Sequence, residues 1–374
     1  MSEPEKIFPP SKFIKEALAK RGLTQTDFAV IVGRYPSTIS NYIAKETISI
    51  EFAKELELVL GETAEYWLGL ENKFRLSQIG DLDDSIKRRN SFVQDYPLKD
   101  MQKRGWISKT DDFNRLEKEL NAFFESNLTD RSLEAATTFK RTLKQEDLNS
   151  AEKAWLYRAE HLANILQVGP YKETQFDALL RLLKKAVKSS KAVHKITDVL
   201  HRFGVRFVII EPLPRAKIDG AAFWLDENSP VVALSLRFDN IGSFWFALMH
   251  ELMHVKYRDF WGAFAVDNFE NGESNDVEDR ANREAAEFLV PQDRLNGFID
   301  AHGPYYSREL INDFATQLEV HPGIIVGQLQ HKKEIGFDKH HSLMAKVREL
   351  ATMTAFTDGW GHPVPQVKFN IEEG

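Results

Sequence analysis

The stretch Ser243-Phe-Trp-Phe-Ala-Leu-Met-His-Glu-Leu-Met-His-Val-Lys-Tyr257 constrains this chain more than any other. On a helix, His250 and His254 project from one face, one turn apart. That spacing places two imidazole nitrogens where one zinc ion can take both. Glu251, between them, is aimed at a water in the metal's open position and can act as a general base. The same five residues also read as a buried helix with two core histidines. A third ligand, and the purpose of the rest of the chain, must decide.

Composition narrows the ligand set. The 374 residues contain no cysteine, which excludes disulfides, a thiol nucleophile and a cysteine-based zinc site. Any zinc must be held by His, Glu or Asp. Downstream, Asp276-Val-Glu-Asp-Arg-Ala-Asn-Arg-Glu-Ala-Ala-Glu-Phe-Leu-Val-Pro291 has the periodicity of a helix ending at Pro291. Glu278 follows His254 by enough residues for a connecting loop and a helix returning across the site. Asn282 lies one turn further on the same face, where it could orient a ligand. Asp279 and Glu284 fall off that face. Two His and one Glu with a fourth position open is a catalytic zinc set rather than a closed structural one. A solvated helix carboxylate is the competing reading of Glu278.

Before the histidine helix the period changes. Residues 205–211, 221–225 and 231–237 are rich in β-branched and aromatic side chains, separated by Pro212 and Pro214, by Asp219-Gly220 and by residues 226–230. Three short strands are expected, with 231–236 as the edge that would pair with an extended substrate. After Pro291, Ser307–Leu318 reads as a helix, and Ile324, Ile325, Val326 and Leu329 mark a packing face. His321, His331, His340 and His341 could assist catalysis, but read more simply as surface or packing residues. Beyond Thr352, Gly359, Gly361, Pro363 and Pro365 predict irregular chain.

The first 75 residues read as five short helices: from Ser11, from Thr24 as an N-cap, from Pro36, from Ser49, and from Thr63. Gly33-Arg34-Tyr35 forms the tight connector of a helix-turn-helix, whose second element enters the major groove. LTQTDFAVIVGRYPSTISNYI resembles the Xre/Cro repressor type, and ISIEFAKELELVLGETAEYWLGLENKFRL is similar to HigA-type antitoxins. The resemblance implies that Gln25 touches a phosphate while Tyr35, Ser37, Thr38 and Asn41 face the bases. Lys12, Lys15, Lys20, Arg21, Arg34 and Lys45 supply local positive charge. Relatives often carry Arg or Lys where this chain has Pro36 and Asn41, so a lone copy should bind DNA weakly and a homodimer is expected. A protein-interaction bundle is the alternative.

The middle of the chain is helical in pattern and poor in chemistry. Asp81-Leu-Asp-Asp-Ser-Ile-Lys-Arg-Arg-Asn90 suits a junction, and Tyr96–Trp106 is similar to a segment that follows the HigA-like domain in two-domain relatives. Leu179, Leu180, Leu182, Leu183 and Val187, interleaved with Arg181, Lys184, Lys185, Lys188 and Lys191, form an amphipathic basic helix that could follow DNA outside the groove or bind an acidic partner, but reads most simply as a solvated face.

HELMH followed by EDRANREAAEFLVP resembles the ImmA/IrrE metallopeptidase family. The resemblance implies zinc held by His250, His254 and Glu278, with Glu251 as general base. Met253 stands where that family has a small residue, and Arg280 and Glu284 replace a usual Glu and Phe. The expected fold is α+β and mostly α: a helix-turn-helix domain (1–76), a helical middle (77–190), a zincin-like peptidase domain (191–300) and a helical extension packed on it (301–374). The expected function is that of a DNA-binding regulator acting at its own operator, fused to an endopeptidase that cleaves a repressor, a partner or itself. The alternative is a non-proteolytic HigA-like antitoxin or autorepressor whose zincin-like second half only binds a partner or senses a ligand. A net charge of −7 leaves room for only a local DNA contact face. No apolar stretch approaches a membrane span and no signal peptide is apparent, so the cytoplasm is the expected compartment.

Overall fold

The computed structural model describes residues 7–45, 48–79, 85–124, 148–259, 265–267 and 276–367. The first residues, 1–6, and Asp81–Asp84 of the junction lie outside the described residues. The chain divides into two compact units, 1–90 and 91–374.

In the first unit, α1 (Pro10–Lys20), α2 (Gln25–Ile31), α3 (Pro36–Lys45), α4 (Ile50–Leu60) and α5 (Ala64–Gln78) follow the five expected helices. Their starts are set by side chains that satisfy the orphan amides of a first turn. Thr24 accepts from the Asp27 amide while Asp27 reaches back to the Thr24 amide, a reciprocal capping box. Ser49 and Thr63 cap α4 and α5 in the simpler way. Gly61 ends α4 at φ 84°, a left-handed conformation that glycine adopts without strain. Ile14, Leu18, Phe28, Ile39, Phe52, Leu56 and Trp67 form the core.

The second unit takes over within α6 (Ser85–Asp95) and continues through α7 (Leu98–Arg104), α8 (Phe113–Phe124), α9 (Ser150–Ile165), α10 (Phe176–Ala186) and α11 (Ile196–Arg202). Then come β1 (Arg206–Ile210), β2 (Gly220–Trp224), β3 (Pro230–Leu234), α12 (Ile241–Tyr257), β4 (Ala265–Asp267) and α13 (Asp276–Leu289). The chain ends with α14 (Gln292–His302), α15 (Arg308–Leu318), α16 (Pro322–His331), α17 (Arg348–Thr352) and β5 (Phe356–Asp358). The strands form one sheet in the order β4-β2-β3-β1-β5, with β3, β1 and β5 parallel and β2 antiparallel to both its neighbours.

This sheet divides the hydrophobic interior. Phe207, Ile209, Ala222, Trp224, Val232 and Leu234 face one core, shared with α12 and the helices after it. Val208, Ile210, Ala221, Phe223, Val231 and Ala233 face the other, shared with α8 and α9. The alternation is the period-2 pleat, and burial on both faces explains why these strands read as nearly continuous apolar runs. The segments 77–190, 191–300 and 301–374 therefore share cores across the borders drawn from sequence.

Three expectations are corrected. β3 is not an edge: it is hydrogen-bonded to β2 and β1 on its two sides. Residues past Thr352 are not all irregular, because Phe356–Asp358 pairs with β1, Val208 lying opposite Phe356. Asp219-Gly220 is no simple turn, since Gly220 begins β2. The tail is fixed by charge as well as by pairing. Asp358, fully buried, accepts from Arg158 Nε at 2.6 Å and from Trp106 Nε1 at 3.0 Å, while Arg158 Nη2 donates to the Pro365 carbonyl at 2.8 Å. Breaking such a buried pair from one side typically costs about 3–5 kcal/mol. Among the described residues, no helix is long and apolar enough to cross a membrane.

His161 stands edge-on to Phe123, ring centroids 4.9 Å apart, in the second core. Burial, reinforced by the Arg158 charge, pushes it down from 6.5 to about 3. The fold thus excludes a proton that the unfolded chain takes up below pH 6.5. This contribution to stability is complete above pH 6.5 and is lost as pH falls towards 3. In denaturant titrations at pH 7 and pH 5, His161→Phe should lose about 2 kcal/mol less stability between the two pH values than wild type does.

Candidate metal centre and DNA-binding face

The metal helix α12 begins at Asn240, whose side chain accepts from the Ser243 amide at 2.8 Å. It carries His250, Glu251 and His254 into the interior at 0%, 0% and 1% exposure. α13 lies against it and brings Glu278 across. His250 Nε2 is 3.1 Å and His254 Nε2 3.5 Å from Glu278 Oε2, and the two Nε2 atoms are 2.9 Å apart. Among the described residues these three form the one group of His and carboxylate atoms close enough to share an ion.

Both imidazoles are held from behind. The Asn282 side-chain oxygen lies 3.0 Å from His250 Nδ1, and Asp259 Oδ2 lies 3.1 Å from His254 Nδ1. Acceptors at both Nδ1 atoms favour the Nδ1–H form and leave Nε2 as the ligand atom. Two Nε2 atoms and a carboxylate oxygen converging in this way suit zinc, whose catalytic sites use three such ligands. Burial disfavours the charged form of His254, but hydrogen bonds with Asp259 and Glu278, and the nearby carboxylate charges, outweigh it and lift His254 to about 10. Burial also opposes the Glu278 anion, yet the two imidazoles hold it down to about 2. The cluster is thus electrostatically arranged around a cation.

Sequence reasoning missed three parts of this arrangement. Asp259 is positioned because Arg258 ends the helix in the left-handed region, φ 52°, turning the next residue back under His254. The Asp259 amide then donates to the His254 carbonyl at 3.0 Å. Arg280, noted only as a departure from the family pattern, grips both Asp259 oxygens at 2.5 and 2.6 Å. Gly220 is the third: a Cβ there would lie 2.5 Å from Glu251 Oε1 and 3.0 Å from its Cγ. Only the bare backbone of β2 leaves Glu251 its place. The Asp-Gly pair was a visible signal, but its turn reading hid it.

Other expected residues take structural positions. Glu284 accepts from Lys256 at 3.0 Å and from Tyr257 Oη. His321 caps α16, its Nδ1 accepting from the Gly323 amide at 3.1 Å. His331 is exposed and lies beside Phe246, whereas His340 and His341 lie in and beside a short helical turn. Lys184 on α10 is not simply a solvated cation, since its Nζ donates to the carbonyls of Phe288 and Leu289 at the end of α13.

In the first unit, Gln25 opens α2, and its Oε1 accepts from Ser40 Oγ at 3.3 Å. Ile39 and Ile43 face the core, turning Ser37 and Asn41 of α3 outward, with Thr38 half-buried and Tyr35 81% exposed just before the helix. Lys45 closes α3, and its side chain lies outside the described residues. Arg34 is different. Its Nη2 lies 2.7 Å from Glu55 Oε1 and its guanidinium rests on the Tyr42 ring, so that its charge is engaged inside the unit.

Metal titration of the purified chain should find about one zinc per chain by the ligand count. His250→Ala should abolish it, and Asp259→Ala should weaken affinity about 10–100-fold by releasing His254. A folded wild type that takes up no metal would refute the site.

Residues 200–332 match the family model of the IrrE N-terminal-like domain (Peptidase_M78), and residues 14–67 match the helix-turn-helix model. Comparisons with curated proteins and with solved structures find no match. The two family matches fall on the two halves of the fusion, one in each compact unit.

Proposed function

We propose that this chain, a helix-turn-helix DNA-binding domain joined to an IrrE N-terminal-like metallopeptidase domain, is a regulator in which proteolysis and DNA binding are coupled. Zinc is the metal, the substrate is a protein, and the target is a repressor, a toxin-like partner or the chain itself. The observation that carries this reading is the convergence of His250, His254 and Glu278 beside a fully buried Glu251.

Zinc, when bound, supplies Lewis acidity that polarises a peptide carbonyl and makes water more acidic. Glu251 receives the proton at its carboxylate and delivers it to the departing amine nitrogen, acting first as base and then as acid. The bare backbone of Gly220 leaves the buried carboxylate the room it occupies. Asn282 and Asp259 hold the two imidazole rings in their ligating orientation.

Glu251→Gln retains the shape of the side chain and should retain metal. Cleavage of the target should fall about 10²–10⁴-fold, the usual contribution of a positioned acid–base group. The readout is gel analysis of the candidate target incubated with wild-type and variant protein, alongside regulation in cells. Regulation undisturbed by this substitution would favour a non-proteolytic, HigA-like antitoxin or autorepressor instead.

The helix-turn-helix domain binds the chain's own operator as a cytoplasmic homodimer, with Tyr35, Ser37, Thr38 and Asn41 facing base edges and Gln25 touching a phosphate. Gel shifts against its own promoter should show binding that weakens with salt and disappears in the Ser37→Ala/Asn41→Ala double variant. Undiminished binding by the variant would place recognition on another surface.

A further inference from the structure

In the second unit a cavity of about 340 Å³ opens beside the metal helix. Its walls include Leu234 and Leu236 from the end of β3, Phe246 and Ala247 from α12, Ile324 from α16, and Met344. The charged pair on its wall is internally compensated: Arg237 donates from Nε and Nη2 to the two Asp219 oxygens at 3.0 and 2.9 Å. Ser243, Gln328, Gln330 and His331 add polar groups to a lining that is otherwise mostly hydrocarbon, and the size is that of a small-ligand site.

Two of its walls run directly into the metal centre. Phe246 and Ala247 precede His250 and Glu251 by four positions, so each lies one helical turn away along the same face. The Phe246 and His250 ring centroids are 6.3 Å apart. On the sheet side, Asp219 lines the cavity and its neighbour Gly220 abuts the Glu251 carboxylate. A peptide whose carbonyl lies at the metal centre would have an adjacent side chain within reach of this cavity.

We propose that the cavity is the specificity pocket of the metal site and takes a bulky apolar side chain, of the Leu, Phe or Met class, from a residue flanking the scissile bond. This rests on the peptidase reading for its substrate, but the cavity's preference for apolar side chains can be tested without turnover. A flanking Asp, Glu or Lys is disfavoured, because its charge would be desolvated among mainly apolar side chains. A flanking Gly or Ala would leave the cavity poorly filled.

The test uses the full-length, zinc-loaded Glu251→Gln protein, with N-acetyl-L-phenylalaninamide and N-acetyl-L-alaninamide as probes, followed by saturation-transfer NMR. The phenylalanine probe should bind about tenfold or more tightly than the alanine probe, as expected for an apolar pocket that discriminates by side-chain size. Added Ala247→Phe or Met344→Trp, filling the cavity from different walls, should each erase the difference while metal content stays at the wild-type level. Two variants guard against one that does not fold. Equal binding of the probes, or a difference that persists in both folded variants, would overturn the proposal.

A second arm maps cleavage of a random peptide library by mass spectrometry. The chain with Glu251 intact should cut beside Leu, Phe and Met, and Ala247→Phe should move the preference to Gly, Ala and Ser. Cutting without side-chain preference would reject the pocket and leave the peptidase reading standing. Probe discrimination with no cutting would leave an apolar ligand cavity but overturn both its assignment as a specificity pocket and the peptidase reading.

Discussion

The second unit depends on keeping ionisable groups dry in an apolar helix. His250, Glu251 and His254 are buried among residues such as Phe244, Trp245, Leu248 and Leu252. Removing such groups from water is unfavourable by several kcal/mol unless their polar atoms are matched. For the two imidazoles the surrounding elements supply that match: Asn282 and Glu278 come from α13, Asp259 from the left-handed turn after α12, and Arg280 holds Asp259 in place. Gly220 contributes by omission, because any larger residue would contest the position of Glu251. The metal centre is therefore a property of packing as much as of motif.

The sheet restricts how a substrate can approach. Pro230–Leu234 has its two flanks occupied by β2 and β1, so its backbone is not available for strand addition. Among the described residues the sheet order ends at β4 on the β2 side, where Gly220 lies opposite Asp267. At the other end, β5 is held to β1 and anchored by Asp358 in its pair with Arg158, which fastens the tail to α9. The C-terminal segment thus completes both the sheet and the second core, rather than resting on a finished domain.

Much of this was legible in the sequence because the relevant signals are local. Thr24, Ser49 and Thr63 announce helix starts through their own side chains, and the spacings of His250 with His254 and of Glu278 with Asn282 state which residues share a helical face. The unread parts depend on contacts between distant segments. Nothing near Asp358 indicates Arg158 two hundred positions earlier, and a three-residue strand is too short to carry a pattern. The Asp259–Arg280 clamp needed the fold to become visible. So did the interior position of β3, since an apolar run reports burial without reporting which strands are its neighbours.

The same logic alters the electrostatics of the first unit. From sequence, Arg21 and Arg34 counted among six cations available to a DNA backbone. Arg21 instead donates to the carbonyls of Val59 and Leu60 at the end of α4, where positive charge offsets the helix dipole. Arg34 is held by Glu55. Charges already engaged in this way add little to phosphate contact, and each phosphate neutralised accounts for a slope of about 0.9 in the logarithmic salt dependence. Ser37 and Asn41 stay exposed on the outward face of α3 and present uncharged polar groups there.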